Sequence, residues 1–173
     1  MARWRRRLPN CAGKAVIISA CDPEHPEALA LMDELSDTLE TITGDNGKSS
    51  FSMADARLPR SLFVIAHDES GALLGCGALR PLEGDTAEIK RMYARPAAHG
   101  VGARVLAHLE SEAVGFGYAR IWLATRRVNA RAVTFYRKHG YVEMSNFGKY
   151  GGRDEVICLG KQLDRAPATQ AHA

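Results

Sequence analysis

The sequence predicts an α/β sandwich: a mixed, largely antiparallel sheet with helices on both faces. Three observations carry this. Two apolar runs, "SLFVIAH" and "ALLGCGALR", flank the turn cluster Asp68-Glu69-Ser70-Gly71, the pattern of an antiparallel hairpin over residues 61–80. An extended run from Thr86 to Ala94 enters a glycine-bearing loop that opens into an amphipathic helix. Further strand and helix patterns alternate after it.

Taken in order, "KAVIISA" (residues 14–20) reads as the first strand. Pro23 and Pro26 mark a turn, and Pro26 suits the first turn of a helix. Leu31, Leu35, Leu39 and Ile42, with Met32 beside them, give that helix one apolar stripe, and Gly44 ends it. From Thr43 to Arg60 the chain is polar, with Phe51 and Met53 able to anchor a short helix; it reads either as a mobile pocket wall or as a surface loop. Gly75 and Gly77 in the hairpin leave space for close packing or for a ligand. In the strand 86–94, Ala87, Ile89, Arg91 and Tyr93 alternate with Glu88, Lys90 and Met92. Pro96 ends it, lacking an N–H for the ladder. Val101, Val105, Leu109 and Ala113, with Leu106 and Phe116, form the buried stripe of the next helix. "RIWLAT" (120–125) is a strand, 129–139 a short helix closed by Gly140, and "YVEM" and "DEVICLGKQL" complete a meander around "SNFGKYGGR".

Composition narrows the function. With 173 residues and 46% hydrophobic content, one domain over 14–163 is expected, between a disordered basic arm (1–13) and a small polar tail (164–173). Arg3, Arg5, Arg6 and Arg7 lie in that arm; removing those four from the net charge of +3 leaves −1 for the remainder. The folded part therefore lacks the basic footprint of a nucleic-acid binder. No apolar run reaches the roughly 18 residues of a membrane span, and "LPNCAGKAVIIS" does not make a signal peptide. Cys11, Cys21, Cys76 and Cys158 are scattered without a C-x-x-C, so neither a metal site nor a disulfide framework is indicated, and a reducing cytoplasm is expected.

The chemistry concentrates after the strand 86–94. A helix that begins at a glycine turn offers unpaired amides and the positive end of its dipole, which suits a diphosphate. "GVGARV" matches the dinucleotide fingerprint only in part, because Val105 stands at its last position. "ITGDNGKS" is a near miss to the nucleotide-hydrolase loop, with Ile42 at the first glycine position and a helical pattern before it.

The run "EIKRMYARPAAHGVGARVLAHLE", followed by "NARAVTFYRKHGY", resembles the GNAT superfamily of acyl-CoA-dependent N-acetyltransferases, over roughly residues 61–163. That family's loop reads Q/R-x-x-G-x-G/A. A register beginning at His99 matches Gly102 and places Arg104 at the small position; one beginning at Ala97 matches both Gly100 and Gly102. The resemblance implies a GNAT-like sheet whose central strands splay around the acyl-pantetheine arm, with acetyl-CoA as co-substrate. It implies direct attack by a primary amine, small molecule or peptide, through a tetrahedral intermediate; homodimers also occur in the family.

Carried over residue by residue, the resemblance places Tyr136 as the acid that protonates the departing thiolate, against a core tyrosine on residues alone. Glu88 is the carboxylate that deprotonates the amine, directly or through water, against a strand glutamate paired with Arg or Lys. Met92, Tyr93 and Ala94 offer main chain to the pantetheine arm and thioester. His99, Gly100, Val101, Gly102 and Ala103 form the diphosphate loop, with His99 alternatively exposed to solvent. Asn129 contacts the cofactor or caps its helix. Arg126, Arg127 and Arg131 approach a phosphate or form a solvated face. Asp45, Asp55 and Glu40, with Tyr150, are candidates to line the amine pocket. The rival readings are a non-catalytic acyl-CoA-binding module and a nucleic-acid partner held by the arginine arm.

Overall fold

A computed structural model describes residues 15–164; the basic arm, Cys11 and the tail beyond Asp164 lie outside them. Seven strands form one sheet in the order β1-β2-β3-β4-β5-β7-β6: β1 (Val16–Ala20), β2 (Leu62–Asp68), β3 (Leu73–Glu83), β4 (Thr86–Ala94), β5 (Arg120–Arg126), β6 (Val142–Met144) and β7 (Val156–Gln162). All neighbours are antiparallel except β4 and β5. The helices are α1 (Pro26–Thr43), α2 (Val101–Gly115) and α3 (Ala130–Lys138). None is long and apolar enough to cross a membrane.

Strand alternation divides the core between two faces. On one, Val64, Leu79, Ala87, Ile89, Ile121 and Leu159 pack against the α2 stripe Val105, Leu106 and Leu109 and against Tyr136 of α3. On the other, Phe63, Ile65, Cys76 and Ala78 pack against Ala28, Leu31 and Met32 of α1. The predicted mixed sheet with helices on both faces is thus present. The polar stretch after α1 holds two short 3-10 helices, Lys48–Ser50 and Met53–Arg57, the second fixed by a reciprocal Ser52/Asp55 cap. Phe51 and Met53 anchor it on the α1 face.

The partial alternation read for β4 breaks at Arg91. Ala78 pairs with Lys90 and Cys76 with Tyr93, so Arg91 and Met92 together oppose Gly77. Arg91 takes φ +53°, a left-handed conformation at a bulge. Lys90 and the next residue consequently serve the same face, with the Arg91 guanidinium donating to Met32 O (3.1 Å) and Ser36 Oγ (2.8 Å) of α1. Met92 turns to the α2 side instead.

Gly75 shows how closely β3 and β4 approach. A Cβ there would lie 2.3 Å from the carbonyl oxygen of Tyr93, a backbone atom with no room to yield. Gly75→Ala is expected to cost about 3 kcal/mol, the upper end of an overpacking penalty. A urea midpoint equal to that of the parent chain would contradict this.

All five tyrosines have phenols raised above their ordinary pKa, chiefly by burial. The folded chain keeps protons that the unfolded chain releases near pH ~10. The associated stability is therefore complete below about pH 10 and is lost as pH rises through the higher folded values. Urea titrations should show the midpoint falling steeply above about pH 10, and an unchanged midpoint at about pH 11 would refute it.

Candidate active site

The sheet opens at its centre. Strands β4 and β5 are paired in parallel only at Thr86–Arg120, Ala87–Ile121 and Glu88–Trp122, after which they part while β5 stays paired with β7 along its whole length. The bulge at Arg91 and Met92 adds local twist to β4 just beyond that point. Main-chain donors and acceptors along the parted edges are freed from the ladder, and such groups require partners. An extended, amide-bearing chain can supply them.

At the wide end lies the N-terminus of α2. Gly100 takes φ 78° as the cap, with no side-chain hydrogen bond there, and a side chain at this position would be strained although nothing crowds it. The Val101 amide is engaged with Ala98 O (3.3 Å) and its side chain is in the core. Among the described residues the amides of Gly102 and Ala103 have no main-chain partner, so they and the helix dipole face outward. A Cβ on Gly102 would lie 3.6 Å from the Phe135 ring and 3.8 Å from Ala94 Cβ, so α2, α3 and the end of β4 meet there. His99 is exposed beside this turn.

Tyr136 lies on α3 and is 8% exposed, with Phe135 (5.1 Å) and Tyr141 (5.6 Å) edge-on to its ring. Burial raises its pKa, so the phenol stays protonated at neutral pH. Tyr118 donates to Arg60 O, Tyr141 donates to Glu110, and Tyr150 meets Lys90, whereas the Tyr136 hydroxyl has no hydrogen-bond partner among the described residues. A core tyrosine normally secures such a bond.

Glu88 occupies the last paired position, at the point where the strands part, and is fully buried on the α1 face. Its Oε2 accepts from Arg80 Nε (2.9 Å) and Nη2 (2.6 Å), and Arg80 Nη1 reaches Asp55 (2.9 Å). Lys90 Nζ lies 2.8 Å from Oε1 as an ion pair, in a geometry that gives Oε1 no hydrogen bond. Lys90 also meets the Tyr150 hydroxyl, and burial lowers its pKa.

Other candidates separate clearly. Met92 is at the bulge, Tyr93 faces Glu34 of α1, and Ala94 ends the strand beside Gly102. Asn129 caps α3, accepting from the Ala132 amide (3.2 Å) with φ −79°. Arg126 and Arg127 pair with Glu155 and Glu143, while Arg131 is exposed. Asp55 and Tyr150 join the Glu88 cluster; Asp45 is taken up by a local turn with Gly47. Arg80 and Lys90 are the residues sequence reading passed over. Their signal was charge at positions that alternation turns inward on two adjacent strands, β3 and β4.

Two parted strands, free amides at the N-terminus of α2 and a buried tyrosine on α3 make up this candidate site. Residues 28–141 match the Acetyltransferase (GNAT) family model. The chain is 31% identical over 159 residues to an IAA acetyltransferase of Azospirillum brasilense, covering 90% of this chain and 100% of that one. Among solved structures it is similar to a putative acyl-CoA N-acyltransferase of Klebsiella pneumoniae, with TM-score 0.73, 24% identity and coverage of 86% and 98%. It is also similar in fold to the PaiA N-acetyltransferase of Thermoplasma acidophilum in complex with coenzyme A, with TM-score 0.64, 17% identity and coverage of 86% and 99%. The chain belongs to the GNAT acetyltransferase family, and as a member it is an acyl-CoA-dependent acetyltransferase with acetyl-CoA as co-substrate.

Proposed function

We propose that this protein moves the acetyl group of acetyl-CoA onto a primary amine by direct attack, with Glu88 and Tyr136 on opposite sides of the opened sheet. The observation that carries the reading is the parting of β4 from β5 immediately after Glu88, toward the free amides of Gly102 and Ala103. Those amides, with the turn at His99 and Gly100, hold the diphosphate; main chain of Met92, Tyr93 and Ala94 pairs with the pantetheine arm. Asn129 contributes by capping α3, which fixes Tyr136.

An alkyl ammonium with pKa about 10.4 must lose a proton before it attacks. Glu88 Oε1 takes it, directly or through a water, because it is the carboxylate oxygen not saturated by Arg80. The amine nitrogen then bonds to the thioester carbon to give a tetrahedral intermediate, its surplus proton passes to solvent, the C–S bond breaks, and the Tyr136 phenol gives its proton to the sulfur. Amide and thiol result; Glu88 releases its proton to solvent, and solvent reprotonates the tyrosine.

A covalent cysteine route is less suited. Burial pushes the Cys76 thiol up to about 12 and also raises Cys158, so neither presents a thiolate at neutral pH. The relative named an IAA acetyltransferase agrees with acetyl transfer.

The test is an amine panel assayed for acetyl-CoA consumption and acetylated product. Product formation by the full chain is expected. Tight coenzyme A binding without turnover on any amine would instead describe a binding module.

A further inference from the structure

Around Tyr150 the charges do not balance. Arg80, Lys90 and Lys149 face Glu88 and Asp55; Arg80 pairs with Asp55 and with Glu88 Oε2, and Lys90 with Glu88 Oε1, which leaves no carboxylate of the cluster paired with Lys149. The Lys90 and Lys149 ammonium groups lie 5.0 and 5.6 Å from the Tyr150 ring centroid. Nearby Arg153 is compensated by Glu155 at 2.8 Å. Among the described residues Lys149 has no ion pair; besides the Tyr150 ring it donates to the Ser49 carbonyl, at 3.4 Å, and it is exposed at the rim. Its position is built in: the short 3-10 helix Gly148–Tyr150 is held by Phe147, which packs on Trp122 (5.2 Å) and Tyr150 (5.4 Å).

We propose that the acceptor amine carries an anionic oxyacid group, a carboxylate in the simplest case, which docks on Lys149 and Lys90 while its amine points inward to Glu88 Oε1. This deepens the acetyl-transfer reading and rests on it for the identity of the site. Two features give the orientation. Glu88 Oε1 is fully buried and paired with Lys90 without a hydrogen bond, and the cation that has no ion pair among the described residues is at the rim, so a molecule with an amine at one end and an anion at the other serves both. Burial, then the like charges of Lys90 and Arg80, lowers the Lys149 pKa, a repulsion that an anion relieves.

The experiment compares amino acids of increasing amine-to-carboxylate spacing, each beside its own carboxamide, for turnover and for calorimetric binding to the coenzyme A-loaded protein. At the matching spacing the acid should exceed its amide about tenfold in kcat/KM, mainly through KM, equivalent to about 1.4 kcal/mol. Lys149→Gln should bring the acid down to its amide, whereas Lys138→Gln, on α3, should keep the preference. Equal use of acid and amide at every spacing, or a preference surviving Lys149→Gln, overturns the inference while acetyl transfer stands. Binding preference without any turnover sustains it and overturns the transfer reading; neither preference nor turnover overturns both.

Discussion

Tyr136→Phe is expected to lower kcat by about 100-fold, the lower range for loss of a positioned acid, or about 2.7 kcal/mol of transition-state stabilisation. Coenzyme A affinity and the urea midpoint should barely change. The variant keeps the ring and its edge-on contacts with Phe135 and Tyr141, and removes a hydroxyl with no partner among the described residues. Steady-state rates beside calorimetry with coenzyme A separate these terms. A purely structural tyrosine would show the reverse pattern, with altered stability and intact turnover, and that result would remove Tyr136 from the chemistry.

Gly102→Asp should weaken coenzyme A binding by about 100-fold without weakening the fold. The new carboxylate sits in the first turn of α2, where a negative charge is favoured by the dipole by about 0.3–1 kcal/mol, and replacing a helical glycine contributes similarly. The same charge repels a diphosphate held on the Gly102 and Ala103 amides. Gly102→Ala is the control for bulk, since its methyl would make ordinary contacts with Phe135 and Ala94. It should bind coenzyme A far more tightly than the aspartate variant. Retention of parental affinity by Gly102→Asp would place the diphosphate elsewhere.

Much of the fold was legible along the chain. The β4 bounds and the αL glycine ending α1 follow from local rules: β-branched runs, amphipathic spacing and turn glycines act within a few residues. The cap at Asn129 is equally local. The charged cluster was less legible. Glu88 stood out by its place before the loop, but Arg80 and Lys90 are ordinary surface residues until alternation and cross-strand pairing turn them inward. Residues 43–60 read as a polar stretch in which Phe51 and Met53 could anchor a short helix; that anchoring is present, and the reciprocal Ser52/Asp55 cap adds order that periodicity does not show.

The sequence by itself determined the order of strands and helices, the glycine entry to α2 and the family resemblance, because each depends on neighbours a few positions apart. The tertiary structure decided where the sheet parts, that Arg91 turns with Lys90 onto one face, and that Lys90 meets Tyr150 sixty positions away. Those outcomes depend on strand register, a bulge and the burial of opposite charges. Such energies arise only once distant segments share one low-dielectric interior.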